Sequence, residues 1–264
     1  MPDTDAHRRA RILVMLGSLE SDRAALEALS LLAGRTPAEI LGMFVEDIEL
    51  LSLAELPIAR EYCLLTHVER HLQAPDIERQ FRIQARAAQQ ALAEIASRRG
   101  SSLSFRTVRG ITTTLLREAL AETDLMLFGS ARGTLRMPGG FTRGSAGLRS
   151  RQPVAVVFDG SDPAQRAFQI ALQIAQNKAV PLTVILTAGD AEQLSTLADK
   201  AIRQAGTRSL HLVKLVHPAW PDVLAQVRGQ RCAALVVAIT AELLQEENLG
   251  RLRNELNCPA LLVK

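Results

Sequence analysis

Aromatic side chains are scarce in this sequence: they make up 3% of 264 residues, with one Trp and one Tyr. Surfaces that bind single-stranded nucleic acid stack bases on aromatic rings, and nucleic-acid binders usually carry a large basic excess. Here 31 basic residues meet 28 acidic ones, and the net charge is +3. We therefore expect no nucleic-acid partner, and a core built from Leu, Ala, Val and Ile, as in helices that cover parallel strands.

Cysteines are also few. Cys63, Cys232 and Cys258 form an odd, widely spaced set, which fits a reducing compartment better than a disulfide framework. No apolar run approaches the ~20 residues of a membrane span, and the N-terminus shows no signal-peptide pattern. We expect a cytoplasmic protein with no membrane span, in which Cys232 and Cys258 are small core residues.

Familiar catalytic signatures are missing from the sequence. It contains no Gly-x4-Gly-Lys-Ser/Thr, no Gly-x-Ser-x-Gly and no His-Glu-x2-His. Cys63, His67 and His71 are spaced by four and would share a face if 58–72 were helical, but no fourth ligand accompanies them. The sequence therefore predicts neither a metal site nor catalytic residues.

What the sequence does contain is a regular alternation of short apolar runs and helical patterns. Short runs bounded by polar or glycine residues indicate buried parallel strands, and stripes at helical spacing indicate the helices between them. The predicted strands are 11–16, 38–45, 103–109, 124–129, 153–159, 181–187, 210–216, 232–239 and 259–264.

The two halves of the chain resemble each other. "ILVMLGSLESDRAALEALSLLA" and "VAVVFDGSDPAQRAFQIALQIA" both place a Gly-Ser turn between a strand and an Ala/Leu helix. The repeat predicts two domains, 1–150 with a long insertion at 46–75, and a shorter 151–264. The predicted fold class is α/β, with two tandem, open, mainly parallel sheets covered by helices on both faces.

This organisation resembles the universal stress protein family in a tandem form. The similarity is carried by "VFDGSDPAQRA" (157–167), by the glycine-rich "FGSARGTLRMPGGFTRGS" (128–145) and by the terminal "CPALLVK" (258–264). The family fold is an open sheet of five mainly parallel strands with helices on both faces. Some members bind ATP and others do not.

The resemblance implies a nucleotide site. In nucleotide-binding members, an Asp ends the first strand, and a Gly-x2-Gly-x9-Gly-Ser/Thr loop follows the fourth. Glycines let backbone N–H groups approach phosphate oxygens, at the sheet edge where ligands bind in such folds. The matching residues here are Gly129, Ser130, Gly133, Gly144 and Ser145 in the loop, and Gly17, Ser18 and Asp159 after the first strands.

Each half departs from the family pattern. In the first, both glycine gaps are one residue longer, and Gly17 stands where the family has Asp. In the second, Asp159 is present but no glycine loop follows the strand at 232–239. The loop is therefore either a phosphate site, aided by Arg132, Arg136 and Arg143, or a linker, and Asp159 is either a ligand residue or a turn former.

Two further questions stay open in the sequence. The first half shows no fifth strand of its own, so 153–159 either opens the second domain, which we favour, or lies at a shared edge. Residues 44–72 have a largely helical pattern, and either cover one face of the sheet or form a docking surface for a dimer mate or partner protein.

Three functions are consistent with these patterns. The first is a regulatory or stress-response module that binds ATP or a related nucleotide in its first half. Its degenerate second half would serve structure or dimerisation, and we expect a homodimer or a partner protein. The second is a ligand-free scaffold that docks onto a partner protein. A nucleotide hydrolase ranks last, because no general base or metal ligand is identifiable.

Overall fold

The computed structural model describes residues 10–17, 19–32, 38–63, 67–129 and 152–264. The strands are β1 (Arg11–Leu16), β2 (Glu39–Asp47), β3 (Arg60–Cys63), β4 (Val68–His71), β5 (Ser102–Gly110), β6 (Leu125–Phe128), β7 (Val154–Phe158), β8 (Leu182–Ala188), β9 (Leu210–Val216), β10 (Ala234–Ala238) and β11 (Ala260–Val263). The helices are α1 (Leu19–Leu31), α2 (Ile48–Ala54), α3 (Ala74–Arg99), α4 (Thr112–Leu120), α5 (Asp162–Lys178), α6 (Ala191–Ala205), α7 (Trp220–Gly229) and α8 (Glu246–Glu255).

Local chemistry accounts for most of these elements. The apolar runs of β6, β10 and β11 are buried along their whole length, because helices cover both faces of the sheet. Gly100 ends α3 in the left-handed conformation at φ 61°, where a residue without Cβ is unstrained. The Ser161 side chain caps α5 by accepting a hydrogen bond from the Ala164 N–H.

Nine strands form one sheet. Their order is β5-β2-β1-β6-β11-β10-β7-β8-β9. The prediction of an α/β fold with a mainly parallel sheet and helices on both faces is confirmed, but the prediction of two separate sheets is wrong. The two halves join edge to edge, which the strand pattern within each half does not reveal.

The junction is the only antiparallel pair in this nine-stranded sheet. β6 and β11 pair from Ala260 opposite Phe128 to Val263 opposite Leu125, while β11 pairs parallel with β10 on its other side. Among the described residues the first half has four strands in this sheet. β11 lies beside the fourth strand of each half, which is β6 in the first half and β10 in the second. β7 lies between β10 and β8, within the second half.

Helices cover the sheet in two layers. Side chains of α1, α2, α3, α5 and α6 form one apolar core with one face of the sheet. Side chains of α4, α7 and α8 form a second core on the other face. Over the part of the chain that the structure describes, no helix is both long enough and apolar enough to cross a membrane.

The insertion in the first half is not the long helix that its leucine pattern suggested. α2 covers only Ile48–Ala54, and β3 and β4 then form a separate two-stranded antiparallel hairpin. The condition under which Cys63, His67 and His71 would share a helical face is therefore not met, because Arg60–Cys63 and Val68–His71 are strands. We call residues 48–63 and 67–71 the arm.

Side chains also connect the two halves near the junction. Lys178 at the end of α5 forms an ion pair with Glu27 of α1, and the Asn177 side chain donates to the Leu31 carbonyl over 2.8 Å. Both contacts place α5 beside α1 on the same face of the sheet. The division of the chain into two domains near residue 150 stays a prediction, and one apolar core contains side chains from both sides of it.

Leu262 lies in the shared strand and is fully buried. We expect Leu262→Ala to lower the free energy of unfolding by about 2–5 kcal/mol, because it opens a cavity between the halves. Leu53→Ala, on the exposed side of α2, should change it by less than about 1 kcal/mol. Urea unfolding followed by far-ultraviolet circular dichroism measures both variants.

Urea unfolding also tests whether the two halves unfold together. The fluorescence of Trp220, the only tryptophan, reports on unfolding of the second half, and circular dichroism reports on unfolding of both halves. Because β11 pairs with both halves, the two signals should change in one transition. Two separate transitions in the wild type would contradict a shared core.

Candidate functional site

The candidate site lies where the strand order of the first half reverses. β2 and β5 lie on one side of β1, and β6 lies on the other. In open parallel sheets ligands bind outside the carboxyl ends of the strands at such a switch point. Met15 pairs with Phe128, so Gly17 and Gly129 follow neighbouring strand ends at one edge of the sheet.

The described part of the chain leaves space beside Gly17. A Cβ atom placed on this residue would meet no described atom outside its chain neighbours within 4 Å, and its φ is not in the left-handed region. Among the described residues, neither packing nor backbone conformation therefore requires glycine at this position. The space at the end of β1 can hold either a larger side chain or part of a ligand.

A buried carboxylate closes the turn after β1. Asp22, in the first turns of α1, is 3% exposed, and its Oδ2 accepts a hydrogen bond from the Gly17 N–H over 2.7 Å. The first half thus has a carboxylate at this turn although its strand ends in glycine. The acidic group comes from the helix instead of the strand.

The corresponding turn of the second half uses Asp159. Its Oδ1 accepts from the Ser161 N–H over 2.9 Å, which is the local bond of an Asx turn. Gly160 follows at φ 85°, where an added Cβ would lie 2.5 Å from Leu197. Lys200 of α6 donates to the Gly160 carbonyl over 3.3 Å. These contacts make Asp159 a turn former, and its role towards a ligand stays a prediction.

The predicted site residues do not all come together. Gly17 and Gly129 share one edge, whereas β7 runs antiparallel to β1 across the junction and carries Asp159 to the opposite edge. Asp159 therefore cannot join Gly17 and Gly129 in one site. The remaining predicted residues, namely Ser18, Ser130, Gly133, Gly144 and Ser145, lie outside the described residues, as do Arg132, Arg136 and Arg143.

The second half contributes to the edge that carries Gly17. Asp47, at the end of β2, caps α2 by accepting from the Glu49 N–H and also accepts from the Thr112 hydroxyl of α4. Arg253, in the last turn of α8, donates to Asp47 Oδ2 over 3.1 Å. An ion pair between the halves thus holds β2, α4 and α8 beside the candidate site.

Histidines and cysteines contribute no metal centre within the described ranges. No group of three or more His, Cys, Asp or Glu side chains there could hold an ion. His67 instead shares a 2.8 Å hydrogen bond with the Tyr62 hydroxyl. Cys232 and Cys258 are buried free thiols in the core beneath α7 and α8, as the sequence predicted.

Comparison with solved structures decides the fold. A universal stress protein from Archaeoglobus fulgidus superposes with a TM-score of 0.51 at 12% identity, covering 96% of this chain and 96% of that one. The chain has the fold of the universal stress proteins. Neither a protein-family model nor a curated protein sequence matches it significantly.

Shorter universal stress proteins are similar to part of the chain. One from Archaeoglobus fulgidus, in complex with dAMP, is 20% identical and covers 43% of this chain and 98% of its own, with a TM-score of 0.33. Another, in complex with cAMP, is 27% identical over 43% of this chain and 96% of its own, with a TM-score of 0.34.

Sequence reasoning missed three residues at this edge. Asp22 lies in a helical pattern that its apolar stripe defines. An acidic residue in the first turns of a helix, after a glycine turn, is itself a signal of a polar contact at that turn. Asp47 is the last residue of the second strand and could have been found in the same way. Arg253 gives no such signal, because only the fold of both halves brings it near.

Replacing Asp22 should reveal how strongly it holds the turn. We expect Asp22→Ala to lower the free energy of unfolding by about 1–3 kcal/mol, since the Gly17 N–H loses its acceptor in a partly buried place. Asp22→Asn keeps an acceptor oxygen and should recover most of this loss. Asp159→Ala, at the exposed second turn, should cost less than Asp22→Ala. Chemical denaturation ranks the three variants.

Cys232 and Cys258 should both be unreactive in the folded protein. Burial raises the pKa of Cys232 to about 12 and the pKa of Cys258 well above its ordinary value. At pH 8 a thiol with such a pKa is a thiolate in only about 10⁻⁴ of molecules. Iodoacetamide followed by peptide mass spectrometry should label neither residue before urea is added and both afterwards. Labelling of either one in the native state would contradict its burial.

Proposed function

We propose that this chain is a nucleotide-binding regulatory protein of the universal stress family, with its ligand at the switch point of the first half. The ligand class is ATP or a related nucleotide. Strand ends at Gly17 and Gly129, side by side at the edge where such folds bind ligands, carry the proposal.

The open space at Gly17 supports the proposal. A nucleoside needs room against the backbone, and no described atom beyond the neighbouring residues approaches the Cβ position of Gly17. The turn of the second half has less room at its glycine, because a Cβ added to Gly160 would lie 2.5 Å from Leu197 and Lys200 donates to the Gly160 carbonyl. This asymmetry favours the first half as the binding half.

The hydrogen bond between Asp22 and Gly17 orients the proposed ligand. The buried Asp22 carboxyl group already accepts from the Gly17 N–H, so this amide is not available to a phosphate. The nucleoside therefore lies towards β1. The phosphates lie towards Gly129, where the glycine-rich sequence with its three arginines begins.

The proposed action is binding rather than catalysis. We place the protein among regulators of a stress response because the resemblance and the fold point in that direction. A second candidate is a docking scaffold without nucleotide. It is favoured by the arm, where Ile48, Leu53, Leu56, Ile58, Tyr62 and Val68 are all exposed.

Thermal unfolding with nucleotide tests the proposal. ATP with Mg²⁺ at 100 times its Kd should stabilise the wild type by about 2.7 kcal/mol, which is a rise in Tm of roughly 5–10 °C. Gly17→Leu fills the space at the end of β1 and should abolish this rise. Gly250→Leu is a matched control, because a Cβ on Gly250 of α8 also meets no atom within 4 Å, and it should behave like wild type.

Two results would overturn the proposal. One is the absence of any stabilisation by ATP, ADP, AMP or cyclic AMP. The other is binding by Gly17→Leu as tight as by the wild type, measured by calorimetry. A third result would keep the site and change its role. If the wild type releases inorganic phosphate from ATP and Gly17→Leu does not, the site hydrolyses the nucleotide.

A further inference from the structure

Within the part of the chain that the structure describes, no further strand or segment covers the free edge of the outer strand of the second half. β9 pairs with β8 over seven consecutive residues without a bulge, and it is the last strand on its side of the sheet. Its sequence, LHLVKLV, contains no proline and one lysine. Natural edge strands usually carry charges, prolines or bulges that prevent further pairing, and β9 has almost none of these features.

Both apolar cores extend to this edge. Leu210 and Leu212 pack against the core beneath α5 and α6, while Val213 and Leu215 pack against the core beneath α7 and α8. All four side chains are only partly buried, and Val216 is 53% exposed. A further strand at this edge would cover apolar side chains on both faces of the sheet at once.

Helix α6, which packs on β9, carries an apolar side chain on the same side as the free edge of β9. Lys200 and Gln204 of α6 reach towards α5, contacting the Gly160 carbonyl and the Gln165 side chain. Ile202 lies two positions from each, a rotation of about 200° around the helix. It therefore lies on the flank of α6 away from α5, above the free side of β9, and it is 49% exposed.

We propose that β9 is the interface of a two-fold dimer, in which the β9 strands of two copies pair antiparallel and extend the sheet. This inference is independent of the proposed nucleotide site, which belongs to the first half. A second copy is the occupant that the charges of β9 favour.

Antiparallel self-pairing of β9 suits its charges. When the strands are centred on Val213, Lys214 faces Leu212 of the other copy, His211 faces Leu215, and no two like charges are opposite. In the same central register, the strand at the other edge of the sheet lacks this property. β5 centred on its middle residue, Arg106, would place two arginines opposite each other, which is destabilising.

Symmetry and dimensions also favour this arrangement. An antiparallel pair keeps α6 of both copies on one face. Because α6 packs on both β8 and β9, and strands lie about 4.8 Å apart, the two α6 helices would be roughly 10 Å apart, a normal helix packing distance. Pairing β9 with β5 of another copy would not close and would build open filaments.

Sedimentation velocity at increasing protein concentration tests the proposal. The wild type should be a dimer. Val213→Lys places two lysines opposite each other at the two-fold axis and should raise the dissociation constant at least about tenfold. Thr107→Lys is the matched control, because it adds the same charge to the exposed edge strand β5, and it should leave the dimer intact.

A second variant, Ile202→Glu, tests the interface if Val213→Lys does not fold. Ile202→Glu changes an exposed helical residue, so its fold should be retained, and it should also weaken the dimer. Hydrogen exchange gives an independent readout, since alternate β9 amides should become protected as the wild type dimerises. A monomeric wild type, or a dimer that a folded Ile202→Glu or Val213→Lys leaves unchanged, would overturn the proposal.

Discussion

The pairing of β11 on both of its sides is the constraint on which the rest of this fold depends. A four-residue strand supplies the parallel neighbour of β10 and the antiparallel neighbour of β6. All four of its residues are buried, so it also contributes to the cores on both faces. Without it, each half would end in a fully apolar strand with an unpaired edge.

The antiparallel junction determines where any site can lie. Because the strands of the two halves run in opposite directions, their carboxyl ends lie at opposite edges of one sheet, and equivalent residues of the two halves cannot meet. The same inversion brings the end of α8 to the edge where the strands of the first half end, and there Arg253 binds Asp47. The second half therefore supports the candidate site of the first without repeating it.

Much of this fold could be predicted from the sequence, because buried parallel strands are continuous apolar runs and their helices carry stripes. The joining of the halves could not be predicted, since pairing between β6 and β11 leaves no periodic signal. The hairpin of the arm was missed for another reason. Its strands, REYC and VERH, are short and polar, and the nearby leucines of α2 dominate the pattern.

At the candidate site, the sequence located the turns but not their chemistry. Gly17 and Gly129 were found because glycines after strands are visible in any sequence. Asp22 was not, because its bond to the Gly17 N–H depends on how the first turn of α1 folds back. Both halves thus have a carboxylate at this turn, Asp22 in the first half and Asp159 in the second. Because the two residues occupy different sequence positions, a comparison of motifs counts the carboxylate of the first half as lost.

The shared strand β11 is synthesised long after its partner β6. β6 is complete at Phe128, whereas its partner β11 begins at Ala260. More than a hundred further residues must therefore be synthesised before β6 can gain this partner. The native sheet is complete only when β11 has inserted between β6 and β10.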